Sequence, residues 1–107
     1  MQVKFTTEAL EELRRILDVY VEFSGPMSAL KFGKLVDSQI SKLSKYPAIG
    51  HPEPLLSGYN YLFRSKSVTK YYRIIYLVHE DTLWIFDFWD SRRDPQKLRE
   101  RVKIPPK

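Results

Sequence analysis

The sequence predicts an α+β fold: an N-terminal strand, a helical hairpin packed on a small, mostly antiparallel sheet of about four strands, and a short C-terminal helix. Three observations predict it. Apolar residues repeat at helical spacing in two segments separated by Ser24-Gly25-Pro26. A loop with three prolines and two glycines follows, from Tyr46 to Gly58. Beyond it lie three runs rich in aromatic and branched residues, Tyr61–Ser67, Tyr71–Val78 and Leu83–Trp89.

Each element has a local reason. Gln2–Thr6 alternates, with Val3 and Phe5 against Gln2, Lys4 and Thr6, the pattern of a half-buried strand. Thr7 is the expected helix cap, with Glu8 and Glu11 in the first turn, where free N–H groups favour acids. Leu10, Leu13, Leu17 and Tyr20 form a helical stripe that Ile16, Val19 and Phe23 widen. Gly25-Pro26 ends this helix and starts the next, whose apolar face is Phe32, Val36, Ile40 and Leu43. Pro47, Pro52 and Pro54 exclude a helix or central strand from the following loop. His79-Glu80-Asp81-Thr82 is the turn between the last two strands. Asp94-Pro95 caps a short helix with Leu98 and Val102 inward, and Ile104-Pro105-Pro106 stops it.

A chain of 107 residues fits a single domain spanning 1–107 with one shared core. Its 43% apolar and 14% aromatic content exceeds that of a disordered protein of modest charge. No run approaches the roughly 20 apolar residues of a membrane span, and Met1 leads into alternation rather than a secretory signal. The absence of cysteine excludes disulfides and thiolate chemistry; a cytoplasmic location is the default. His51 and His79 are isolated, so neither a metal site nor another cofactor is expected.

The formal charge of +5 is unevenly placed. Residues 1–60 hold seven cations and seven acids, whereas residues 61–107 hold eleven cations and six acids. Such asymmetry is a prior for a polyanion or an acidic protein partner, against the plainer reading of a solubilising surface. The cations that interrupt the strand-like runs are Arg64, Lys66, Lys70, Arg73, Arg92 and Arg93. Arg64 and Lys66, two apart on a strand, project to one face. Competing structural readings exist. Arg73 can pair with Asp87 across the neighbouring strand. Arg64 and Lys66 can guard an edge strand. Trp84, Phe86 and Phe88 share one face and read as core, which leaves Trp89 as the exposed aromatic.

The element order, the Tyr72-Arg73-Ile74-Ile75-Tyr76 strand and the segment Trp89-Asp90-Ser91-Arg92-Arg93-Asp94-Pro95 resemble the RelE/ParE superfamily of bacterial type II toxin–antitoxin toxins. His51-Pro52-Glu53-Pro54-Leu55 further resembles the loop before the sheet in the YoeB branch. The resemblance implies a growth-arresting toxin with a cognate antitoxin partner and no membrane or small-molecule partner. In the RelE-like branch it implies metal-independent cleavage of ribosome-bound mRNA, with the 2′-hydroxyl as nucleophile. Lys66, Arg73 and Arg93 would then be catalytic, Lys66 as base. Arg64, Lys70 and Arg92 would hold phosphate, and Glu53 would be an accessory acid. One departure stands against it: Arg99 occupies the place of that branch's late tyrosine or histidine. The ParE-like branch implies instead a DNA gyrase inhibitor acting by protein contact, which needs no proton-transfer set. An inactive basic binding module is the third reading; the positional match of Arg64, Lys66, Arg73 and Arg93 to the RelE-like set tilts the expectation toward mRNA cleavage.

Overall fold

In the computed structural model, which describes residues 1–102, strand β1 (Gln2–Phe5) leads into helix α1 (Thr7–Ser24) and helix α2 (Pro26–Lys45). Short 3₁₀ turns at Pro47–Ile49 and Pro54–Leu56 flank a two-residue strand, β2 (His51–Pro52). Strands β3 (Arg64–Ser67), β4 (Tyr72–His79) and β5 (Thr82–Asp90) follow, and α3 (Pro95–Arg101) closes the order. The expected α+β plan holds. The sheet has five strands rather than about four, in the order β1-β5-β4-β3-β2. The added strand sits inside the proline-rich loop, at an edge where the missing N–H of Pro52 is tolerated. β1 runs parallel to β5, and every other pairing is antiparallel. The predicted strand from Tyr61 begins only at Arg64. The predicted stop at Ile104-Pro105-Pro106 lies outside the described residues.

The cap of α1 is Thr6, not Thr7. Thr6 Oγ1 accepts a bond from the Ala9 amide and donates one to the Phe86 carbonyl, so one hydroxyl ends β1 and starts the helix. Gly25 joins the helices at φ 92°, a left-handed conformation that a side chain disfavours. Glu80 and Asp81 hold φ of 50° and 59° in the β4–β5 turn, the tight hairpin geometry whose twist matches the strands.

The sheet is covered on both faces. Ala9, Ile16, Phe32, Val36 and Leu43 of the hairpin pack on Ile74, Tyr76, Leu83, Ile85 and Phe88. On the other face Leu56, Phe63 and Leu98, from the loop and α3, pack on Ile75, Leu77, Phe86 and Trp89. Two expectations fail here. Phe88 does not share a face with Trp84 and Phe86, and Trp89 is buried, at 1% exposure. The cause is a bulge: Ile75 pairs with Asp87 while Tyr76 pairs with Ile85, leaving Phe86 as an extra residue that inverts the alternation beyond it. The α1 stripe is also narrower than its spacing suggests. Leu13, Leu17 and Tyr20 pack on the core, but Leu10, Val19 and Phe23 are exposed.

Candidate functional site

Strand register assigns the cations to faces. Arg64 stands opposite Tyr76 and Lys66 opposite Ile74, so both lie on the hairpin side of the sheet. Arg64 Nη1 donates to the Gly50 carbonyl at 2.8 Å. The same glycine's amide donates to the buried Tyr76 hydroxyl, which itself donates to the Pro47 carbonyl at 2.6 Å. Burial pushes the Tyr76 phenol up. Arg64 is thus partly spent on fixing the loop, and Lys66 beside it is half-buried.

Arg73 stands opposite Ser67 and next to Ile75, on the opposite face. Its Nε donates to Glu53 Oε1 at 2.6 Å, and the Glu53 side chain has no exposure at all. The second carboxylate oxygen accepts from the Leu55 amide. The Glu53 amide in turn donates to the Phe63 carbonyl, so the loop after β2 delivers the acid to its partner. The expected Arg73–Asp87 pair does not form: Arg73 is opposite Trp89, whereas Asp87 is opposite Ile75.

Asp87 belongs instead to Arg101 of α3, with contacts of 2.5 and 3.0 Å. Burial pushes the Asp87 carboxyl up despite this partner, and the hydrogen bonds that Arg101 donates to Asp87 raise Arg101. Glu12 of α1, buried, accepts from Arg15 and lies 3.9 Å from Arg93 and 4.0 Å from Arg101. The Arg93 guanidinium also lies over the Trp89 ring, 4.8 Å from its centroid. Arg99 Nη1 donates to the Leu55 and Ser57 carbonyls, and its guanidinium lies over Tyr59.

The last two expected site residues sit at the end of the sheet. Arg92 forks onto Asp90 with two bonds of 2.9 Å and lies 4.2 Å from the Tyr71 ring centroid. These bonds hold the Asp90 carboxyl below its usual range and raise Arg92. Lys70 Nζ also lies over the Tyr71 ring, 5.5 Å from its centroid.

The expected cations are therefore distributed rather than gathered. Arg64 and Lys66 share one face, Arg73 and Glu53 pair on the other, Arg93 joins the α1–α3 charge cluster, and Lys70 and Arg92 flank Tyr71. The Glu12–Asp87–Arg101 cluster escaped sequence reasoning. Its one signal was Asp87 itself, a carboxylate inside an otherwise apolar strand.

Residues 3–95 match the family model for the ParE toxin of the type II toxin–antitoxin system parDE, and the chain belongs to that family. It is the toxin of a type II pair, and a cognate antitoxin is its partner. Solved structures share the fold. The chromosomal ParDE system from P. aeruginosa aligns with a TM-score of 0.69 at 24% identity, covering 84% of this chain and 95% of the other. A YoeB/ParE toxin from Agrobacterium tumefaciens aligns with a TM-score of 0.59 at 16% identity, covering 84% and 98%. A YoeB dimer from Staphylococcus aureus aligns at 0.60 and 18% identity, covering 83% and 94%. No curated protein matches the chain. No helix among the described residues is long and apolar enough to cross a membrane.

Proposed function

We propose that this toxin arrests growth by gripping a protein, DNA gyrase, as the ParE-like branch does, rather than by cutting mRNA. One observation carries the reading: Lys66 and Arg73, the base and the phosphate cation of an RNA-cleaving set, project from opposite faces of the sheet. General acid–base catalysis needs its groups within hydrogen-bond reach of one substrate. A sheet between them prevents that. Arg73 is further committed to a fully buried carboxylate, and withdrawing it toward a phosphate would leave that charge unpaired. Arg99, at the place of the late tyrosine or histidine, is engaged with backbone carbonyls. A protein-binding toxin requires none of these groups to converge. The gyrase reading also agrees with the parDE family match.

The test pairs two assays on the wild-type toxin. Purified protein should inhibit supercoiling by gyrase, and primer extension on a translated message should show no new cuts after induction. Cuts that disappear in Lys66→Ala, with supercoiling untouched, would reverse the assignment in favour of Lys66, Arg73 and Arg93 as catalytic residues. In either case the antitoxin is expected to be an acidic segment that orders on the toxin and covers cationic surface.

A further inference from the structure

Three shallow hollows adjoin where the α1–α2 turn meets the β3–β4 turn. One, of about 180 Å³, lies between the end of α1 and Tyr71-Tyr72, with Phe23 and Arg92 in its wall. A second, of about 220 Å³, shares Tyr20 with the first and is walled by Lys31 and Leu35 of α2. The third, of about 70 Å³, shares Tyr71 and Tyr72 with the first and Thr69 with the second, and adds Lys70. Shared residues make them neighbours around the β3–β4 turn, with Tyr20, Phe32, Tyr71 and Tyr72 in their walls.

Two properties separate this surface from ordinary solvated protein. Phe23 is 77% exposed at a helix end, next to the 40%-exposed Tyr71. Large aromatics together with arginine are the residue types that dominate protein–protein binding energy. Moreover, every charged residue lining the three hollows is a cation: Lys31, Lys70, Arg73 and Arg92. Arg73 is paired with Glu53, and Arg92 with Asp90 at the margin. Lys31 and Lys70 have no carboxylate partner among the described residues. The rings are also held in place. Tyr20 stacks on Phe32 at 4.9 Å, Tyr72 meets Phe32 edge-on at 5.4 Å, and Arg92 pins Tyr71. A preorganised apolar floor loses little freedom when it is covered.

We propose that this surface is the toxin's docking face for its protein target, and that it takes an acidic segment of gyrase carrying an apolar or aromatic side chain. The side chain would settle between Phe23 and Tyr72, with its flanking carboxylates on Lys31 and Lys70. A nucleic acid fits less well. The Tyr71 face that a base would stack on is already covered by the Arg92 guanidinium, which Asp90 neutralises. This inference rests on the gyrase reading above.

The test measures supercoiling inhibition and direct binding to purified gyrase for wild type, Phe23→Ser and Lys31→Glu/Lys70→Glu. All three substitutions are at exposed or rim positions, and unchanged thermal unfolding checks that each variant folds. Each variant should need about thirtyfold more toxin for the same inhibition, the size of a binding hot spot. Raising the salt concentration should narrow the gap for the lysine variant but not for Phe23→Ser. Wild-type inhibition with both variants equally potent overturns the docking face and leaves the gyrase reading standing. Wild type inert toward gyrase overturns both. Variants that lose only antitoxin affinity, with gyrase inhibition intact, assign the surface to the antitoxin and also overturn the proposal.

Discussion

The two faces of the sheet are closed by different physics. On the hairpin side, α1 and α2 bring a continuous apolar stripe onto Ile74, Tyr76, Leu83, Ile85 and Phe88. On the other side, short irregular segments and a seven-residue helix cover Ile75, Leu77, Phe86 and Trp89, and charged side chains hold them there. Arg73 binds Glu53, Arg101 binds Asp87, and Arg99 ties α3 to the Leu55–Ser57 backbone. A long amphipathic helix adheres through area alone; a short loop has too little area and needs specific partners. Of the cations expected at a catalytic site, Arg73 is one of the fastenings of the second face, alongside Arg99 and Arg101.

The contrast is broken most severely from the hairpin side. Phe32 is 2% exposed and packs against Tyr20 and Tyr72. Phe32→Ala should destabilise the protein by about 3–5 kcal/mol in urea unfolding, the usual cost of an aromatic cavity. The second face should fail through charge. Arg73→Ala leaves the buried Glu53 carboxylate with the Leu55 amide but no counter-charge and should cost about 3 kcal/mol. Arg73→Met/Glu53→Leu should recover most of that loss, because an apolar pair has no unpaired charge to bury. If the double variant is no more stable than the single, Glu53 is not what makes the loss large.

A smaller effect sharpens the junction between the faces. At Gly50 a Cβ would fall on the Tyr76 hydroxyl and within 2.6 Å of the Ser65 carbonyl. Gly50→Ala should therefore cost about 1–3 kcal/mol, as overpacking does. It should also loosen Arg64, which hangs on the Gly50 carbonyl. Limited proteolysis within residues 46–58 would report that loosening.

The same division decides what could be read from residues alone. The hairpin was legible because a 3.6-residue period is local, and β4 and β5 because their turn and apolar runs are adjacent in the chain. The pairing of Arg64 with Lys66 on one face followed from spacing within a strand. Whether Arg73 joins them depends on register between strands, and a shift of one residue exchanges the faces. The Phe86 bulge is such a shift, and it moved Phe88 and Trp89 away from their expected sides. Arg73's partner lies in a loop twenty residues back, where no pattern links it to the strand. The superfamily was legible in the order of elements, since that order survives all these local exchanges.

The finest comparison is between two carboxylates at either end of this charge system. Asp90, on the margin, is held low by hydrogen bonds from Arg92, so folding favours its ionised form. Its contribution is present above the unfolded-state value and disappears as pH falls through the depressed folded one. Asp87 is raised chiefly by burial, so folding favours its neutral form. That contribution is complete at low pH and is lost as pH rises through the raised value. The two variants should therefore diverge in thermal unfolding across the carboxylate range. Asp90→Asn should lower stability slightly at neutral pH and flatten the decline on the acid side. Asp87→Asn supplies the neutral shape and keeps an oxygen for Arg101. It should lie within about 1 kcal/mol of wild type at neutral pH, because the Arg101 charge is partly exposed and keeps Glu12 at 4.0 Å as a counter-charge. A loss of several kcal/mol in Asp87→Asn would instead make the Arg101–Asp87 charge itself, rather than its hydrogen bonds, the fastening of α3.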